Sequence, residues 1–117
     1  MFLDLRVIRL PVNALVSILH RVSGVVLVFT LPWWLWVFAE SLRSEAGYGE
    51  VLALLQGWGG WLAFFGLWAL AHHLFAGVRH LAMDAHWGLG KQVSRWTAWV
   101  VLLLDGLSVP VLVWVLL

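Results

Sequence analysis

Three stretches of the chain run the length of a membrane crossing with almost no charge. Between Arg21 and Glu40 lie 18 residues, VSGVVLVFTLPWWLWVFA, without Asp, Glu, Lys or Arg. At roughly 1.5 Å per residue they make about 27 Å of helix, close to the thickness of a bilayer's hydrocarbon core. The apolar pattern extends back through Ser17, so the first span is expected over residues 17–39. Pro32 removes one backbone donor and predicts a kink or the last turns of that helix. Trp33, Trp34 and Trp36 cluster near its outgoing end, where aromatic belts sit. From Val51 to Val78 charge is again absent. The Gly-Trp-Gly-Gly stretch at 57–60 predicts a loop or a loose helix start, and the second span is expected over 58–83. The third, 96–117, is broken only by Asp105 and Pro110. The expected fold is an all-α membrane protein of three transmembrane helices in a single domain, residues 1–117.

The flanking charges predict an orientation. Arg6, Arg9 and Arg21 precede or open the first span, and Arg79, Lys91 and Arg95 lie between the second and third. The 40–50 loop has one cation, Arg43, beside Glu40, Glu45 and Glu50. By the positive-inside rule the N-terminus and the second loop face the cytoplasm or matrix, and the C-terminus faces out. The opening MFLDLRVIRLPVNALVSILHR lacks an uninterrupted apolar core and a small-residue cleavage site, so no secretory signal is expected.

Composition agrees. Apolar residues make up 63% of the 117 and charged residues 11%, against about 45–50% and about 25% in soluble domains. There is no basic run, so nucleic-acid binding is set aside. The absence of cysteine excludes disulfides, thiolate metal sites and Cys-ligated clusters, and leaves histidine chemistry open. Three helices form a thin bundle that covers a cofactor on one side only, which favours partner helices.

The chemistry sits in AHHLFAGVRHLAMD, residues 71–84, which holds three of the five histidines. His73 and His80 are seven residues apart, two turns, at nearly the same azimuth, with Gly77 between them. A glycine there admits a flat, bulky group or a neighbouring helix. His72 points about a quarter turn away. His73 lies six residues before Arg79, about 9 Å deeper, within the hydrocarbon. Imidazole at that depth is costly unless paired. One buried histidine with a second two turns above it suits a haem, whose iron takes an imidazole ligand. Arg79, His80, His20 and Arg21 then lie at the level of the propionates. The plainer alternative is that His72 and His73 hydrogen-bond to carbonyls or to another helix. Tetrahedral zinc is not expected, since no His/Cys set has ligand spacing.

In the first helix, Ser17 and Arg21 share a face at i, i+4, as do His20 and Gly24. Arg21 and His20 snorkelling at the interface, with Ser17 capping a helix start, accounts for them simply. A hydroxyl and a guanidinium beside apolar walls also suit a carbonyl-bearing lipophile such as a quinone. Asp84 ends the second span, where a carboxylate opposes the helix dipole. A cation is therefore expected near it, Arg79 or His80. Asp105, an acid inside the third span, faces a partner or cavity or sits shallower than the count suggests.

SILHRVSG at 17–24 and HHLFAGVRHLAMD at 72–84 resemble the two signatures of the cytochrome b membrane-anchor subunits of succinate dehydrogenase, S-x-x-H-R-x-[ST]-G and H-x-x-x-G-x-R-H-x-x-x-D. Both are complete, in order, and the three-span layout agrees. Members of that family usually carry a longer segment before the stretch that begins here as MFLDLRVIRLP. The resemblance implies a second three-helix anchor subunit, one haem b shared between the two, and a quinone site near the cytoplasmic or matrix face. Iron–sulfur and flavoprotein subunits would dock on that face, in a bacterial cytoplasmic or mitochondrial inner membrane. The resemblance places the axial iron ligand on His73 rather than His72, by spacing to Gly77 and the Arg79-His80 pair. It places propionate contacts on His20, Arg21 and His80, quinone contacts on Ser17 and Arg21, and a supporting carboxylate on Asp84. The second axial histidine would come from the partner anchor. The alternatives are a fumarate reductase anchor of the same architecture and a haem-free structural or transport subunit.

Overall fold

A computed structural model describes residues 11–116. The expectations that fall on residues 1–10, the missing signal segment and the share of Arg6 and Arg9 in the charge bias, lie outside the described residues, as does Leu117. The described residues form helices joined by short turns and contain no strand. Four helices follow in order: α1 Val12–Arg43, α2 Glu45–Gln56, α3 Trp58–Asp84 and α4 Lys91–Leu116. Three of them, α1, α3 and α4, are long and apolar enough to cross a membrane.

The helices overrun the charge-free windows. α1 begins five residues before the expected 17, and α4 begins at Lys91 instead of 96. Charged side chains at a membrane edge snorkel to water without interrupting the backbone ladder. The helix therefore continues through Arg21 and Arg95. Ser17 consequently does not cap α1, which opens at Pro11 and Val12. Pro32 lies inside α1, which continues to Arg43. Just before it, Thr30 Oγ1 donates back to the Val26 carbonyl at 2.8 Å.

The expected 40–50 loop is largely a helix. Arg43 grips Glu40 through Nε at 3.0 Å and Nη2 at 2.6 Å, closing α1. One residue, Ser44, is extended, and its Oγ accepts from the Gly47 amide at 2.9 Å as the N-cap of α2. Glu45 in the first turn suits the dipole there. Charge-based reading missed α2 because a short helix at the interface can carry several acids. The Gly57 hinge falls where the Gly-Trp-Gly-Gly stretch predicts it, and α3 starts at Trp58. The turn into α4 uses His86 and Gly88 at positive φ, 65° and 71°.

α3 is the central element and packs against α1, α2 and α4. The tightest core is a cluster of small side chains, Val16 of α1, Ala76 of α3, and Ala98 and Val101 of α4. Asn13 Nδ2 ties the same end of α1 to Ser94 Oγ of α4 at 3.0 Å. Further along, Trp34 lies against Gly66 so closely that an added Cβ would sit 2.6 Å from its Cζ2. Small residues at helix crossings allow this approach, as is usual where lipid replaces water outside. Most of the large apolar residues face outward, Phe29 and Trp114 among them at 80% and 85% exposed.

Candidate functional site

His72 and His73 are neighbours in sequence but turn to different helices. A step of about 100° per residue separates them on α3. His72 faces α4, where its Nδ1 meets Asp105 Oδ2 at 2.5 Å, both residues buried. Trp68 Nε1 and Ser108 Oγ both donate to the Asp105 carbonyl, at 2.9 and 2.6 Å. Asp105 therefore faces a partner within its own chain.

His73 faces α1. Its Nδ1 lies 3.2 Å from the His20 carbonyl and 3.1 Å from Ser23 Oγ. A carbonyl only accepts, so Nδ1 carries the proton and donates. Ser23 Oγ gives its own proton to the same carbonyl at 2.7 Å, leaving a lone pair toward Nδ1. Both contacts select one tautomer, and the Nε2 lone pair is left as the basic atom. Gly24 makes this proximity possible, since a Cβ there would stand 3.2 Å from His73 Cε1.

Three histidines meet at this seam. The His20 and His73 rings stack with centroids 4.1 Å apart and planes 13° from parallel, and His80 lies 5.0 Å from His20. Gly77 faces His20, whose Nε2 would be 3.5 Å from an added Cβ. The glycine gap thus accepts a side chain of the neighbouring helix. A cavity of about 350 Å³ is lined by His20, His73, Gly77 and His80 with Leu74, Val78 and Leu81. A second, of about 550 Å³, joins Arg21 to His73 along the α1 face bearing Gly24 and Phe29. Arg21 is exposed and Ser17 half-buried, and Ser17 does not line that second cavity.

Arg79 does not join the cluster. It is 7% exposed and turned to α4, with Nε donating to Thr97 Oγ1 at 3.1 Å and Nη2 to the Ser94 carbonyl at 3.2 Å. The expected cation for Asp84 is likewise not Arg79. Asp84 is exposed at the end of α3, where water screens it, and no ion pair links it to Arg79 or His80 among the described residues.

Sequence reasoning missed Ser23 and the His72–Asp105 pair. A signal for the pair was available. His72 lies 12 residues before the end of α3 and Asp105 14 after the start of α4, depths of about 18 and 21 Å from the same edge. Two polar residues at one depth on adjacent antiparallel helices are natural partners.

Three apolar helices and a histidine-lined seam between two of them define the class, an integral membrane subunit. Residues 1–115 match the succinate dehydrogenase/fumarate reductase transmembrane subunit family, and the chain belongs to it. Over 89 residues it is 37% identical to the succinate dehydrogenase cytochrome b556 subunit of Paracoccus denitrificans, covering 73% of this chain and 66% of that protein. It is 32% identical over 109 residues to the cytochrome b556 subunit from Coxiella burnetii, covering 92% and 87%. It is 33% identical over 105 residues to the cytochrome b560 subunit from Reclinomonas americana, covering 84% and 72%.

Proposed function

We propose that this chain is the haem b- and quinone-binding anchor of a succinate:quinone oxidoreductase, a single three-span domain that tethers the catalytic subunits and passes electrons from the iron–sulfur subunit to membrane quinone. The observation that carries it is the state of His73. Its Nδ1 proton is held by the His20 carbonyl and Ser23, and Nε2 makes no hydrogen bond to the described residues. That is the arrangement of a ligating imidazole with its second nitrogen anchored.

The residues fit a haem better than a bare ion. Among the described residues no three His, Cys, Asp or Glu converge to hold a metal. A haem would carry nitrogen donors of its own and would need only imidazole ligands from protein. His73 would supply one, and a second anchor subunit the other. Bound there, the group supplies one-electron chemistry. His20, Arg21 and His80 offer donors for its propionates. Arg21, with Ser17 one turn away, would hold a quinone carbonyl, and Asp84 would support that site. The positive-inside reading puts the Arg21 and Arg79 ends of the helices toward the cytoplasm or matrix. The iron–sulfur and flavoprotein subunits would dock on that face. The relatives' names favour succinate dehydrogenase over the fumarate reductase direction.

In the purified complex, His73→Ala should abolish the reduced haem b absorbance. An unaltered spectrum would overturn the ligand assignment, and a wild-type complex without that absorbance would favour a haem-free anchor. Arg21→Leu should cut quinone reduction far more than succinate oxidation by an artificial acceptor that takes electrons upstream. Equal loss of both would count against a quinone role.

A further inference from the structure

Ser23 is 5% exposed, buried between α1 and α3, and is not among the expected iron, propionate or quinone contacts. Its single hydroxyl proton is spent on the His20 carbonyl at 2.7 Å, so what it presents to His73 is an acceptor. The His73 Nδ1–H is thus shared between two acceptors, at 3.1 and 3.2 Å, that are themselves hydrogen-bonded to one another. The bond from Ser23 also draws on the His20 carbonyl and makes it a weaker acceptor for His73. The hydroxyl therefore adds a partner to Nδ1 and fixes the position of the first.

We propose that Ser23 is a positioning residue. Together with the His20 carbonyl its hydroxyl holds the His73 imidazole in place, and it tunes the electron-donating strength of Nε2 toward a bound iron. This rests on the haem reading of His73. The physical basis is general: an acceptor on the outer nitrogen raises the basicity of a ligating imidazole and favours the oxidised metal. Removing the hydroxyl takes one acceptor from Nδ1 and alters the other, and should therefore shift the midpoint potential of the haem without removing the haem. Gly24, next in the chain, lets His73 come close enough for these bonds. Ser23 supplies their chemistry.

The test uses Ser23→Ala and Ser23→Thr in the intact complex, with a potentiometric titration of the haem b spectrum as readout. Threonine keeps the hydroxyl and alanine removes it. The expected result is a shifted midpoint in Ser23→Ala with the reduced absorbance retained, and a wild-type midpoint in Ser23→Thr. Haem loss in Ser23→Ala but not in Ser23→Thr would overturn the potential-setting role, because the proposal has the haem retained. An unchanged midpoint in Ser23→Ala would overturn it. Equal shifts, or equal haem loss, in both variants would overturn it too, because packing alone would then explain the position. Should His73→Ala keep its haem, the underlying reading fails. Should His73→Ala lose it while Ser23→Ala matches wild type, only the present inference fails.

Discussion

His72 and Asp105 are joined at 2.5 Å between α3 and α4, with both side chains buried. The pair sits in the spans, where no water competes and an orphaned polar group is costly. Its value lies less in attraction than in what each residue would cost alone.

Asp105→Leu should therefore destabilise the protein by about 1–3 kcal/mol, the cost of leaving a buried polar group without its partner. The double variant His72→Leu/Asp105→Leu should recover most of that loss. Thermal unfolding of the purified complex in detergent, run as a double-mutant cycle, measures the coupling. Additive losses would show that the two residues act independently.

Gly66 and Gly106 make opposite predictions. A Cβ at Gly66 would meet Trp34 at 2.6 Å, and one at Gly106 meets nothing within 4 Å. Gly66→Ala should cost about 1–3 kcal/mol by overpacking. Gly106→Ala, inside α4, should be neutral or gain up to about 1 kcal/mol from helix propensity. Melting temperatures of the two variants compare them directly.

Arg79 is a helix tie, so its loss should appear in stability first. Arg79→Lys keeps the charge but loses the fork that reaches both Thr97 Oγ1 and the Ser94 carbonyl. A loss of about 1 kcal/mol is expected, with the haem b spectrum unchanged. A shifted spectrum with unchanged stability would place Arg79 at the cofactor instead.

Ser44 separates α1 from α2 by a single capped residue. Ser44→Ala should weaken α2 by about 1 kcal/mol. Hydrogen exchange should report faster amides over residues 45–49 and no change in α3. Equal acceleration in both helices would mean the cap supports more than its own helix.

Much of the fold could be read in one dimension. A helix that crosses lipid must satisfy its backbone internally and present apolar side chains outward, and both demands are local. Charge-free length therefore located three spans, and Gly57 marked a boundary. α2 escaped because its acids resemble those of a loop, and its cap depends on one serine's extended backbone. At the site, the i, i+4 and i, i+7 spacings brought His73, Gly77 and His80 to one face, and α1 does bring His20 to meet them. Arg79 lies one residue before His80, yet a step of about 100° sends it to another helix.

What the sequence by itself determined is the membrane architecture and the short list of residues able to do chemistry, because hydropathy, charge and helical phase are properties of adjacent residues. Only the tertiary structure decided how those residues divide their work. It gave His72 to Asp105 and Arg79 to Ser94 and Thr97, and it aimed the Nδ1 of His73 at the His20 carbonyl and Ser23. Those choices depend on which helices touch and at what rotation. That is set by small residues such as Gly24, Gly66 and Ala76, whose effect is felt only across a helix crossing.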